Sequence, residues 1–134
     1  MSKLILQNYH HEKEVEDVEN ELQEDELTVI HFETYPNQKY NAGWWVTVQP
    51  EIFIRPVGSS DKLGLILAIN IPVSPAKYFF KSKSERLKFT LFFPALPKET
   101  THIDIIESRS KDVENPFNFF NVSMDKIRNG FLKK

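Results

Sequence analysis

His102 and Asp104 are the residues whose types and spacing come nearest to chemistry. Two positions apart on a strand, their side chains leave the same face. An imidazole beside a carboxylate can ligate a metal or form a base held in place by its partner. Glu107 or His31, brought near by folding, would complete such a site, the basis of a small metal-dependent or hydrolytic enzyme. A solvated polar face opposite Ile103 and Ile105 accounts for the same residues without any function. His10, His11 and Glu12 form a second candidate metal group near the N-terminus. No stretch reads HExxH, GxSxG or GxGxxG, and none forms a phosphate-binding loop. With four glycines in the chain there is little backbone to cradle a phosphate, and with no cysteine there is neither thiolate chemistry nor a disulfide framework. The expectation is a protein that works by binding, without a cofactor or a resident metal.

Two groups of residues suit binding. Tyr40, Trp45, Phe53 and Arg55 surround a run of alternating residues. A Trp beside a Tyr and the Asn41 amide can take a protein hot spot or a sugar face, or simply pack under a neighbouring segment. Lys77, Lys81, Lys83, Arg86 and Lys88 interleave with Tyr78, Phe79 and Phe80. That mixture can stack single-stranded nucleic acid, or it can be core aromatics with lysines that snorkel and guard a strand edge. The charge of the rest of the chain bears on the choice. Residues 12–26 hold nine acidic residues and one lysine, a net −8, whereas the remainder holds 16 basic and 10 acidic residues, a net +6. An acidic segment opposes nucleic acid and favours either self-association with the basic body or a partner for each. The expected partner is another protein or a second copy of the chain.

The elements that must position these groups are strands. Residues 44–56 place Trp44, Val46, Val48, Pro50, Ile52, Ile54 and Pro56 on one face and Thr47, Gln49, Glu51 and Arg55 on the other, with Trp45 and Phe53 as the exceptions. Thirteen extended residues span roughly 43 Å, too long for one strand of a small domain, and Pro50 cannot donate to a ladder, so a break is expected there. On this reading Val46→Asp is costly and Thr47→Asp nearly neutral. Residues 27–35 read as a strand, 36–37 and 40–43 as turns, and 63–71 as a central strand covered on both sides. Residues 77–83 read as a connection. Residues 86–94 alternate strictly with Leu87, Phe89, Leu91 and Phe93 inward. Strands at 102–107 and 117–122 follow, the latter with a register shift, and Ser123 caps one helical turn that ends near Gly130. Residues 4–9 suit a short first strand. The stripe Val15, Val18, Leu22 suits either a short helix or a linker. About six or seven strands with turn signals between them, and no helix long enough for a crossover, describe an all-β antiparallel sandwich or barrel.

One stretch carries a resemblance. Leu91-Phe92-Phe93-Pro94-Ala95-Leu96-Pro97, then His102-Ile103-Asp104-Ile105-Ile106-Glu107, then Pro116-Phe117-Asn118-Phe119-Phe120 resembles small immunoglobulin-like β-sandwich domains of bacteria. The resemblance spans residues 27–122 and implies an immunoglobulin-like sandwich; with the strand count it gives an expected seven-strand antiparallel domain over residues 27–134, behind an acidic N-terminal segment, residues 1–26, that lies outside the resemblance. It implies a fold rather than an activity. In the chain as given, residues 1–11 offer only Leu4-Ile5-Leu6, shorter than the apolar core of a secretory signal. That and the lack of cysteine give the expectation of a cytoplasmic protein.

Overall fold

The computed structural model describes residues 6–7, 27–36, 44–108 and 116–134. Among these, the chain forms eleven strands and one short helix: β1 (Leu6–Gln7), β2 (Leu27–Thr34), β3 (Trp45–Val46), β4 (Phe53–Pro56), β5 (Leu63–Gly64), β6 (Leu67–Ile69), β7 (Tyr78–Phe79), β8 (Leu87–Pro94), β9 (His102–Ile106), β10 (Phe119–Ser123), α1 (Met124–Asn129) and β11 (Leu132–Lys133). They assemble as a five-stranded sheet in the order β1-β6-β8-β2-β11, a four-stranded sheet β10-β9-β4-β5 and a two-stranded ribbon β3-β7. The expected all-β class holds. The expected uniform antiparallel pairing does not: β1 lies parallel to β6, and β11 parallel to β2, at the two edges of the larger sheet.

Both large sheets feed one core. Even positions of β2 (Ile30, Phe32) and odd positions of β8 (Phe89, Leu91, Phe93) meet Ile54 of β4, Ile103 and Ile105 of β9, and Val122 of β10. At the centre Phe32 and Phe89 stack with centroids 5.0 Å apart and planes at 9°. Phe117 stands edge-on to Phe89 at 5.4 Å, and Phe119 leans on Phe32 at 5.8 Å. The opposite face of the five-stranded sheet has its own apolar group, Leu67, Ile69 and Phe92, with Leu27, Val29 and Ile66 against it.

Residues 44–56 do break where proline demands it. The chain turns at Pro50–Glu51, with Ile52 N bonded to Gln49 O at 3.1 Å. Val46, Val48, Ile52 and Ile54 are core, as the alternation requires. The two halves, however, join different sheets. Thr47 is a second correction: it is 8% exposed rather than solvated. Its Oγ1 donates to Ala76 O at 2.6 Å and lies 3.3 Å from Pro72 O, tying β3 to the connection before β7.

Residues 63–71 are likewise two strands rather than one. Leu65 N bonds to Ile52 O at 3.1 Å, and the next amide, Ile66 N, bonds to Phe92 O at 2.8 Å. The chain therefore passes from the four-stranded to the five-stranded sheet between neighbouring residues. This explains why Leu65, Ala68, Ile69 and Ile71 are all fully buried. Tyr78–Phe79, expected as a connection, is a strand paired with β3. The register shift in β10 falls between Phe119 and Val122. Helix α1 starts as expected, with Ser123 Oγ accepting from Lys126 N at 3.2 Å and Gly130 at its C-cap. The expected turn at 40–43 and the acidic segment at 12–26 lie outside the described residues, and Leu6–Gln7 of the N-terminal segment pair with β6.

Glu107 pins three segments at one point. Its carboxylate accepts from Gln49 N at 2.9 Å and from Phe117 N at 2.8 Å, while Asn118 Oδ1 accepts from Glu107 N at 2.8 Å. Burial pushes its pKa above the usual 4.5, opposed by the two amide bonds and the Lys134 charge. A raised folded-state pKa means that the native chain holds this proton more tightly than the unfolded chain. The associated stability is complete below about pH 4.5 and is lost as pH rises through the folded value. The stability advantage of wild type over Glu107→Gln should therefore shrink between pH 4 and pH 7 in denaturant titrations; an advantage that grows with pH would overturn this. Thr47→Asp should now cost about 2 kcal/mol or more, like Val46→Asp, since it buries a carboxylate against two carbonyls. Equal melting temperatures for wild type and the Thr47 variant would contradict that.

Candidate interaction surface

Trp45 and Phe79 face each other across the β3–β7 ribbon. They are 40% and 58% exposed, and the Lys77 ammonium sits 4.2 Å from the Trp45 ring. The ribbon positions them because its other residues are anchored. Val46 is core, and Tyr78 and Phe80 pack against the core and against each other edge-on at 5.7 Å. Tyr78 Oη donates to the Glu85 carboxylate, and that bond, helped by burial and by the Glu85 charge, pushes the phenol up to about 12. Lys81 N donates to the same carboxylate at 2.6 Å, so the loop after β7 is tied to the ribbon. With Tyr78 and Phe80 turned inward, alternation leaves Phe79 outward beside Trp45. The result is two large apolar rings on a rigid hairpin-like support, with a cation on one of them.

The other residues expected at this surface lie elsewhere. Phe53 and Arg55 are on β4, in the four-stranded sheet. Phe53 is half-buried, with the Lys62 ammonium 5.1 Å from its ring. Arg55 Nε bonds to Asp104 Oδ2 at 3.3 Å across the β4–β9 pair. Tyr40 is outside the described residues. The expectation of Trp45 and Phe53 on one strand face is thus corrected: the turn at Pro50–Glu51 sends them to different sheets. Phe79, read as part of a connection, is the ring that joins Trp45. The sequence shows only three successive aromatics there; the inward–outward–inward order of Tyr78, Phe79 and Phe80 comes from the fold.

The residues with catalytic types do not converge. Asp104 is 9% exposed. It accepts from Arg55 and, through Oδ1, from Asn121 N at 3.0 Å. Asn121, at φ 53°, is the left-handed residue of the β10 bulge, a conformation asparagine tolerates better than most. Asp104 therefore closes the bulge. His102 is exposed beside Thr101, 3.1 Å from its hydroxyl, and lines an open cleft with Pro56, Val57, Pro97 and Glu99. His31 is on the five-stranded sheet, 2.8 Å from Thr90 Oγ1, and burial pulls its pKa below 6.5. Glu107 is engaged with Gln49 and Phe117. Among the described residues no three histidine or acidic side chains group as metal ligands, and His10, His11 and Glu12 are not among the described residues.

The basic residues near β7 also divide. Lys77 covers Trp45, Arg86 lies 4.9 Å from the Tyr35 ring, and Lys88 lies 4.9 Å from the Phe131 ring. No described helix is long and apolar enough to cross a membrane.

Asp104→Ala should destabilise by about 2 kcal/mol, because it orphans both the Asn121 amide and the half-buried guanidinium. Asp104→Asn, which keeps one acceptor, should cost less, and Arg55→Gln less again. Denaturant unfolding of the three variants checks the order; an Asp104→Ala protein as stable as wild type would remove Asp104 from the bulge's support.

Compared with known protein families, curated proteins and solved structures, the chain matches none.

Proposed function

We propose that the chain is a non-catalytic protein-interaction module, a subunit or accessory of a larger assembly, built on an immunoglobulin-like sandwich. The fold reading is supported by two sheets that share one core and by the resemblance over residues 27–122. The functional reading is carried by one observation: Trp45 and Phe79 stand exposed side by side on a ribbon whose inward residues are locked in the core. Two adjacent large rings gain little by facing water. Aromatic anchors on rigid supports are what protein hot spots use, because little side-chain entropy is lost on docking. Lys77 adds a charge at the rim that orients a partner.

Trp45→Ala should leave the melting temperature within about 3 °C of wild type, the loss of one exposed cation–ring contact. It should weaken partner binding by about 2 kcal/mol or more. Affinity capture from the native source with wild type and Trp45→Ala side by side, quantified by mass spectrometry, identifies the partner as the protein lost in the variant. A large fall in stability with capture unchanged would show Trp45 to be structural. Binding on a glycan array, abolished by Trp45→Ala, would instead assign the rings to a sugar face.

A further inference from the structure

The outer face of the five-stranded sheet carries a second surface, separate from the Trp45–Phe79 ribbon. Alternation places Lys88 of β8, His31 and Glu33 of β2, and Lys133 of β11 on the side away from the shared core, with Glu33 opposite both lysines in register. Arg86 and Tyr35 flank the strands, and Phe131 precedes β11. Arg86, Lys88 and Lys133 are exposed, and Tyr35 and Phe131 are 40% and 39% exposed. Arg86 lies on Tyr35 and Lys88 on Phe131, each 4.9 Å from the ring, and the His31 ring is 5.7 Å from Phe131. Among the described residues none of the three cations has a carboxylate within 4.0 Å. Among the described residues, half-buried Glu33 is the acidic side chain placed beside these cations, and burial lowers the pKa of His31. The strip is therefore net positive among the described residues; rings hold Arg86 and Lys88, and the Arg86 guanidinium also donates to the Ser84 and Glu85 carbonyls.

We propose that this strip receives the acidic segment, residues 12–26, of a second copy of the chain. Charge complementarity supplies the argument. The segment carries −8, and its carboxylates recur at every second residue in Glu12, Glu14, Glu16 and again in Asp17, Glu19, Glu21. An extended chain presents such residues about 6.7 Å apart on one side. Arg86, just before β8, and Lys88, on it, are two residues apart and present cations at a similar pitch. The rings already carry cations on their faces, which suits carboxylate acceptors and leaves less room for stacked bases. Exposed pairs are individually weak and screened by salt, so the association is weak and ionic-strength dependent.

Sedimentation velocity of the full chain tests this. Self-association is expected at about 50 mM NaCl and should weaken about tenfold or more at about 500 mM. Arg86→Glu/Lys88→Glu should abolish it, as should Glu14→Gln/Glu16→Gln/Glu19→Gln/Glu21→Gln, each with its melting temperature compared with wild type. Mixing the two variants should restore a heterodimer, because one keeps the acidic segment and the other keeps the strip. If the double charge reversal does not fold, Arg86→Gln/Lys88→Gln takes its place. A chain that is monomeric at low salt, or one whose association survives both variants, overturns the proposal. So does a strip that binds oligothymidylate while the chain stays monomeric. Trp45→Ala should not change this self-association, so its outcome is independent of the hot-spot reading.

Discussion

Four phenylalanines hold the two sheets against each other. Phe32 and Phe89 come from the centre of the five-stranded sheet, Phe117 and Phe119 from the segment that enters and begins β10. Rings pack well edge-on or offset, and each buries a large apolar area, so a cluster of this kind contributes both stability and a defined distance between layers. The remaining contacts are arranged around it. Ile30, Leu91 and Phe93 extend it along one sheet, and Ile54, Ile103 and Ile105 along the other.

A core of this type cannot supply partners for backbone N–H and C=O groups that leave the ladders. Three polar side chains do so. Glu107 takes the amides of Gln49 and Phe117, Asp104 takes the amide of the bulge at Asn121, and Thr47 takes the carbonyl of Ala76. Each sits where a strand breaks, bulges or changes sheet. Buried backbone donors and acceptors are costly when unpaired, and these residues lie where the chain departs from regular pairing. This is why two carboxylates that read as part of a catalytic set in one dimension serve the architecture in three, while His102 stays exposed. The same departures create the exposed ribbon, because β3 and β7 leave the large sheets and pair with each other.

Much of the fold was legible. Residues 86–94 and 27–35 read as the two longest strands, and the strict alternation of 86–94 gave the correct inward face, since a one-residue slip would have put Phe89 in water. The break at Pro50 follows from proline's missing N–H, the bulge in β10 from the shifted register of Phe117, Phe119, Phe120 and Val122, and the cap from the Ser123 hydroxyl. The surface was legible only in part. Trp45 was recognisable as a large apolar residue on the wrong face, whereas its neighbour Phe79 lay in three successive aromatics, Tyr78-Phe79-Phe80, that read as a connection. Phe53 was assigned to the same surface because nothing local reveals that a turn also changes the sheet.

What the sequence alone determined, then, is which residues are inward, where strands stop, and that residues 12–26 oppose the rest of the chain in charge. These are properties of two or three neighbouring residues, and period, proline geometry and charge report them directly. Tertiary structure decided the pairing. It sent the halves of 44–56 and of 63–71 to different sheets, added parallel strands at both edges of the larger sheet, and gave Asp104 to Arg55 rather than to His102. Those outcomes depend on which distant backbone groups compete for one amide, as when Leu65 bonds to Ile52 while Ile66 bonds to Phe92. A hydrogen bond between residues far apart leaves no periodic mark on either segment, so only the folded chain shows it.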